Sequence, residues 1–85
     1  MYKNKNIDGS LNISGRRISE LRKTMKNKPS QRIIAEMMQT AGLDIDKNAV
    51  QRIESGERFI TDIELRLFSQ ALGVSADYLL GLSDE

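Results

Sequence analysis

Four polar side chains between positions 47 and 52 have the chemistry to read the edges of nucleic-acid bases. They are Lys47, Asn48, Gln51 and Arg52. Lysine and arginine can donate hydrogen bonds to guanine, and asparagine and glutamine can pair with adenine through two hydrogen bonds. On a helical wheel these four residues lie opposite Val50 and Ile53, which point inward. We therefore expect one helix with a polar outer face and an apolar inner face, and an ordinary solvated face is the alternative interpretation.

Most catalytic and metal-binding chemistry lacks its usual residues in this chain. The 85 residues include no cysteine and no histidine. Disulfides, Cys-based or His-based metal sites and the commonest general base are therefore excluded. The carboxylates are scattered over helix faces, so a small hydrolase that uses carboxylates remains only a third alternative. We expect no enzymatic activity, no cofactor, no metal and no small-molecule substrate.

The charges are distributed unevenly along the chain. Residues 1–32 hold nine Lys or Arg against two acidic residues, a net charge of +7, and residues 33–85 hold four against ten, a net charge of −6. Such a dipolar chain can turn one face toward an anion, although solvated charge runs are common. The chain has no apolar run of the ~18–20 residues that a membrane span needs, and residues 1–6 lack the apolar stretch typical of a signal peptide. We expect a cytoplasmic protein that does not contact membranes.

Capping residues and glycines divide the chain from Ser14 onward into five short helices. The expected spans are about 15–27, 31–41, 47–55, 62–72 and 76–80. The residues expected to cap the last four helices are Ser30, Asp46, Thr61 and Ser75, and the glycines expected to end them are Gly42, Gly56, Gly73 and Gly81. Serine, threonine and aspartate can accept hydrogen bonds from free helix amides, and glycine adopts the left-handed conformation that ends a helix. The predicted fold class is all-α.

One helical domain over residues 14–82 fits a chain of this length. Residues 1–13 are rich in Asn, Lys, Gly and Ser, so we expect a flexible or extended N-terminal arm. A small hairpin that turns at Asp8-Gly9 is the alternative, although isolated hairpins are only marginally stable. Residues 83–85 are expected to form a C-terminal tail.

Five segments in a particular order point to a known family. They are GRRI with LRK in residues 15–23, SQ with AE in 30–36, VQRIESGER in 50–58, ALGVS in 71–75 and DYLLG in 77–81. Together they cover residues 15–81 and resemble the phage repressor and Cro-type helix-turn-helix domain. The resemblance implies a compact five-helix, lambda-repressor-like fold with its helix-turn-helix between about Ser30 and Gly56. It also implies a sequence-specific, repressor-like transcriptional regulator whose helix 47–55 enters the major groove of double-stranded DNA.

The resemblance also implies roles for residues outside that helix. Gln31 matches a glutamine that hydrogen-bonds a DNA phosphate, and helix N-terminal amides favour phosphate in any case. Arg22 and Glu54 match an ion pair that ties the first helix to the recognition helix, and two unrelated exposed side chains are the alternative. Further phosphate candidates, chosen for their charge and place, are Lys28, Arg32 and Arg58.

The sequence departs from the family pattern in two loops. Residues 26–29 are about two residues longer than usual, and residues 38–45 add roughly five residues before the recognition helix. A longer connector therefore replaces the tight turn, and the angle between the two helices stays open.

The partner of the domain has two interpretations. Members of the family bind two-fold symmetric DNA sites as dimers, so we expect a homodimer on DNA. Tyr78, Leu79 and Leu80 could form the dimer surface, or they could pack in the core. Because the C-terminal half is acidic, a protein-interaction module on the same fold, such as an antitoxin or an adaptor, is the alternative function.

Overall fold

The structure is a computed structural model that describes residues 5–84, so residues 1–4 of the expected arm and Glu85 of the expected tail lie outside it. The elements in chain order are α1 (Gly15–Thr24), α2 (Gln31–Thr40), α3 (Lys47–Ser55), α4 (Asp62–Leu72) and α5 (Ala76–Leu79). No strand occurs within residues 5–84. The prediction of an all-α fold with five helices is therefore confirmed for the described chain.

The helix caps lie where the sequence places them. The side-chain oxygen of each capping residue accepts a hydrogen bond from the backbone amide three positions later, at Ser30, Asp46, Thr61 and Ser75. Thr61 and Glu64 form the full capping box, in which each side chain binds the other residue's backbone amide. Gly56 ends α3 in the left-handed region, with φ of 82°. These local hydrogen bonds fix where α3 starts and stops.

The first helix is shorter than expected. It ends at Thr24 rather than near Asn27, because Met25 is extended and both Asn27 and Lys28 have positive φ values. Pro29 follows immediately and has no amide hydrogen for a helical hydrogen bond. Residues 25–30 are therefore a tight loop that turns the chain into α2.

One core joins the helices, and α3 lies against both α1 and α2. The buried apolar side chains of this core are Ile18, Ile34, Ala35, Met38, Ile45, Ala49, Val50, Ile53, Phe68, Leu72 and Leu79. Helix α4 packs on α1 and α2, and α5 packs on α4 and α1. In the described chain, no helix is long and apolar enough to cross a membrane. The core thus supports α3 along its whole inner side.

The fifth helix contributes to this core. Leu79 is fully buried, and the Tyr78 ring receives the guanidinium of Arg17 at 4.7 Å from the ring centroid. Leu80 is half-buried. Core packing therefore accounts for Leu79, whereas Tyr78 and Leu80 keep part of their surface exposed.

The long connector before α3, residues 41–46, is ordered by hydrogen bonds to the backbone and to one side chain of α2. The Leu43 amide donates to the Met38 carbonyl at 3.0 Å, and the Gln39 side-chain amide donates to the Ile45 carbonyl at 2.8 Å. Ile45 is buried in the core. The connector therefore delivers α3 to a defined position although it is longer than the family's turn.

Candidate nucleic-acid interface

Helix α3 has one outer side that faces solvent. We call the side chains of Lys47, Asn48, Gln51 and Arg52 the recognition face. All four are exposed, whereas Ala49, Val50 and Ile53 on the other side are buried. The Asp46 carboxylate accepts from the Ala49 amide at 2.8 Å, which starts the helix immediately before Lys47. The structure therefore brings the four predicted base-contact residues together on the first two turns of one short helix.

The recognition face has no hydrogen-bonding or ionic partner among residues 5–84. Within residues 5–84, its four side chains make no hydrogen bond and no ion pair. Asn48, Gln51 and Arg52 line a shallow polar depression together with Ser55 and Glu57. Amide donors and acceptors, and the guanidinium and ammonium donors, therefore remain available to an external ligand.

A buried ion pair holds the last turn of α3. Arg22 of α1 donates two hydrogen bonds to the Glu54 carboxylate, from Nε at 2.8 Å and from a terminal nitrogen at 2.9 Å. The Gln31 side-chain amide donates to the same carboxylate at 3.0 Å, and Arg22 also donates to the Pro29 carbonyl at 3.3 Å. The Glu54 side chain is only 6% exposed. This network links α1, the loop before α2 and the start of α2 to α3.

The charge of Glu54 is maintained by these bonds. Burial opposes the ionised carboxylate, but hydrogen bonds from Arg22 and Gln31 outweigh burial and hold the pKa of Glu54 below its ordinary value. Hydrogen bonding to Glu54 likewise raises the pKa of Arg22. Each group therefore stabilises the charged form of the other.

The phosphate candidates near α2 differ in how exposed their side chains are and in whether those side chains have a partner within the protein. Lys28 and Arg32 are exposed, and Arg32 makes only a long, solvent-exposed pair with Glu36 at 3.7 Å. Arg32 lines one surface groove with Lys47, between α2 and the start of α3. Gln31 is half-buried, and its side-chain amide is used by Glu54. The structure thus places a phosphate candidate beside a base-contact candidate, and it gives Gln31 an internal partner that the sequence did not predict.

Arg58, the remaining phosphate candidate, has a strong internal partner. Its guanidinium donates two hydrogen bonds to the Glu64 carboxylate, at 2.9 and 2.8 Å, and its side chain is 33% exposed. Burial opposes the charge of Glu64, but the bonds from Arg58 and from the Thr61 amide hold the pKa of Glu64 below its ordinary value. Arg58 therefore fastens the loop after α3 to the start of α4, which gives it a structural role in the free protein.

Sequence reasoning missed Asn12. Its side chain contacts the end of α3 and the Arg58 carbonyl, although residues 1–13 were expected to form an arm. The sequence gives no hint of this contact, because Ser14 is a favourable capping residue by type, although it makes no side-chain cap bond.

Among residues 5–84, no group of three or more acidic side chains is arranged to hold a metal ion, and no buried side-chain polar atom lacks a hydrogen-bond partner. Comparisons of the chain with protein-family models, with curated proteins and with solved structures found no match. The likeness to the phage repressor and Cro-type domains therefore depends on the sequence segments quoted above alone.

Proposed function

We propose that this protein is a sequence-specific DNA-binding transcriptional regulator, repressor-like in action, that inserts α3 into the major groove of double-stranded DNA. The observation that supports this most is the recognition face: four exposed polar side chains without a partner among residues 5–84, on a helix that is held by core packing and buried charge.

The dimensions of α3 suit this role. It has nine residues and is therefore about 14 Å long. The major groove of DNA is ~12 Å wide, and this width admits the cross-section of an α-helix. Lys47 and Asn48 lie at the start of the helix, where the N-terminal residues of a recognition helix contact base edges.

Contacts to the DNA backbone would come from the flanking basic residues. Arg32 shares a groove with Lys47, and Lys28 is exposed in the loop before α2. Exposed cations beside the recognition helix can bind phosphates and fix its register without reading sequence. Gln31 would reach a phosphate only if its amide left Glu54 or used its second N–H group.

The proposed mechanism involves no chemical step. Two copies would occupy a two-fold symmetric site in the cytoplasm, and the occupied site would exclude the transcription machinery. The resemblance to dimeric repressors supports the homodimer, and the partly exposed Tyr78 and Leu80 are compatible with a contact between copies.

A salt titration tests the DNA-binding proposal. Affinity for a random-sequence duplex should fall steeply between ~50 and ~200 mM salt, because phosphate contacts release counterions. A variant with Lys28 and Arg32 both changed to alanine should show a shallower dependence of affinity on salt concentration. Changing the exposed Arg66, on α4, to alanine provides the control and should leave the slope unchanged. Absence of binding at low salt would contradict the proposal and favour a protein-interaction module.

A further inference from the structure

Residues 10–15, which we call the clasp, lie across the C-terminal end of α3. The Leu11 amide donates to the Gly56 carbonyl at 2.8 Å, immediately after the helix ends. The Asn12 side-chain amide donates to the Ile53 carbonyl at 3.0 Å and to the Arg58 carbonyl at 2.7 Å. These bonds span more than 40 positions in sequence. The clasp therefore joins the start of the domain to the last turn of the proposed recognition helix.

Asn12 uses both ends of its amide group. Its nitrogen donates to the Ile53 carbonyl in the last turn of α3 and to the Arg58 carbonyl in the loop that follows. Its oxygen accepts from the Gly15 amide at 2.7 Å. Ser14, the residue at the N-cap position of α1, makes no side-chain cap bond. Asn12 thus caps α1 and holds α3 with one side chain, so that the two helix ends share a single point of attachment.

The backbone packing around the clasp is close. A Cβ atom on Gly15 would lie 1.8 Å from the Ile53 carbonyl oxygen, and a Cβ atom on Gly56 would lie 2.9 Å from the Cβ of Ser10. Glycine allows these approaches because it has no side chain. Gly15 has no positive φ value, unlike the five other glycines, so proximity to α3 is the reason for glycine at this position.

We infer that the clasp sets the position of α3 for DNA reading and that Asn12 is its positioning residue. This inference rests on the function proposed above. Binding groups must be held to within about 0.5 Å and 10–20° to keep their geometry. Core packing and the Arg22–Glu54 pair hold the inner side of α3. The clasp adds direct hydrogen bonds to the Ile53 and Gly56 carbonyls at the C-terminal end, so a loosened clasp would let that end shift. Residues 10–13 of the expected arm therefore belong functionally to the recognition unit.

The variant Asn12→Asp separates the two roles of the side chain. Aspartate keeps the oxygen that accepts from the Gly15 amide, but it cannot donate, and it places a charge beside the Ile53 and Arg58 carbonyls. We expect the ratio of affinities for a selected DNA site and for random duplex to fall about tenfold, equivalent to ~1.4 kcal/mol. Affinity for random duplex at equal salt should remain within about twofold, because exposed phosphate-binding cations are untouched.

Amide hydrogen exchange gives a readout that does not depend on DNA. In Asn12→Asp, exchange at Leu11 and Gly56 should accelerate at least tenfold, whereas exchange at Leu80, at the end of α5, should follow only the global stability. Ser75→Ala removes a cap at α5 and serves as the control for lost stability. It should lower the melting temperature without accelerating exchange at Leu11 selectively and without changing the ratio of affinities.

The outcomes separate the clasp from the DNA-binding proposal. Unchanged exchange at Leu11 and Gly56, or an unchanged ratio of affinities in Asn12→Asp, would overturn the inference. If the charge of aspartate unfolds the protein, Asn12→Ala provides the same comparison without a buried carboxylate. A wild-type protein that does not bind DNA would contradict the proposed function, and with it the reading role of the clasp, while exchange would still show whether Asn12 holds α3.

Discussion

On its inner side, α3 is held by buried apolar residues and charged hydrogen bonds, whereas on its outer side four polar side chains extend into solvent. Val50 and Ile53 are fully buried, and Glu54 receives hydrogen bonds from Arg22 and Gln31. The four side chains of the recognition face receive none from residues 5–84. Stability and the proposed recognition of DNA thus fall to different residues of one nine-residue helix.

This division means that substitutions on the two sides should have different effects. Changes on the inner side should lower the free energy of unfolding, because they remove packing or leave a buried charge without its partner. Changes on the outer side should leave the fold intact and alter only binding.

The largest effect is expected from Arg22→Ala. Removal of the guanidinium leaves the Glu54 carboxylate, only 6% exposed, without its ionic partner. Loss of one partner from a buried pair costs ~3–5 kcal/mol of unfolding free energy. Urea unfolding at pH 7 measures this loss. Arg16→Ala is the matched control, because Arg16 lies on the same helix in a solvent-exposed pair with Glu20, which is 3.5 Å away. Equal stability losses in the two variants would show that α3 is not held by this network.

A smaller loss is expected from Gly15→Ala. The added methyl group would overlap the Ile53 carbonyl oxygen, a backbone atom, so α1 and α3 must move apart. Overpacking of this kind costs ~2–3 kcal/mol. Gly73→Ala is the control, since an added Cβ meets nothing within 4 Å there and only the left-handed backbone, with φ of 69°, is strained. That strain costs ~1–2 kcal/mol. Thermal unfolding should therefore show a smaller loss of stability for Gly73→Ala than for Gly15→Ala. A larger loss for Gly73→Ala would contradict the close approach of α1 to α3.

The pH dependence should be weaker and should have a definite sign. The folded pKa values of Glu54 and Glu64 lie below their ordinary values, which are about 4.3 in an unfolded chain. Their contribution to stability is therefore fully present above pH ~4.3 and is lost as the pH falls through the lower folded values. Urea unfolding between pH 7 and pH 3 should show this decline. In Glu54→Gln the decline should be smaller, and a wild-type stability that stays constant down to pH 3 would contradict the two carboxylate networks.

The parts of the fold that were predictable from sequence depend on local chemistry. Ser30, Asp46 and Thr61 cap their helices as expected, because each oxygen meets an amide only three positions away. The burial of Val50 and Ile53 follows from the helical repeat of apolar residues. These features need no knowledge of the tertiary structure, which is why the sequence was sufficient.

The parts that were missed depend on contacts between distant segments. Asn12 binds carbonyls 41 and 46 positions away, and no periodic pattern reports such a bond. Arg58 was predicted from its charge to bind phosphate, but its pairing with Glu64 requires the loop between α3 and α4 to fold back. The early end of α1 depends on left-handed backbone at Asn27 and Lys28, which lysine rarely adopts. At these positions the structure is determined by tertiary packing, which the local sequence does not report.

The central claim, that the recognition face reads DNA sequence, is tested most directly by changing Asn48 and Arg52 together to alanine. Both side chains are exposed and unpaired within the described residues, so urea unfolding should match wild type to within ~0.5 kcal/mol. In a selection from a random pool of duplex DNA, wild type should enrich a two-fold symmetric sequence, and the double variant should bind the pool without enriching it. Enrichment of the same sequence by both proteins would contradict the account, because the reading would then lie elsewhere on the molecule.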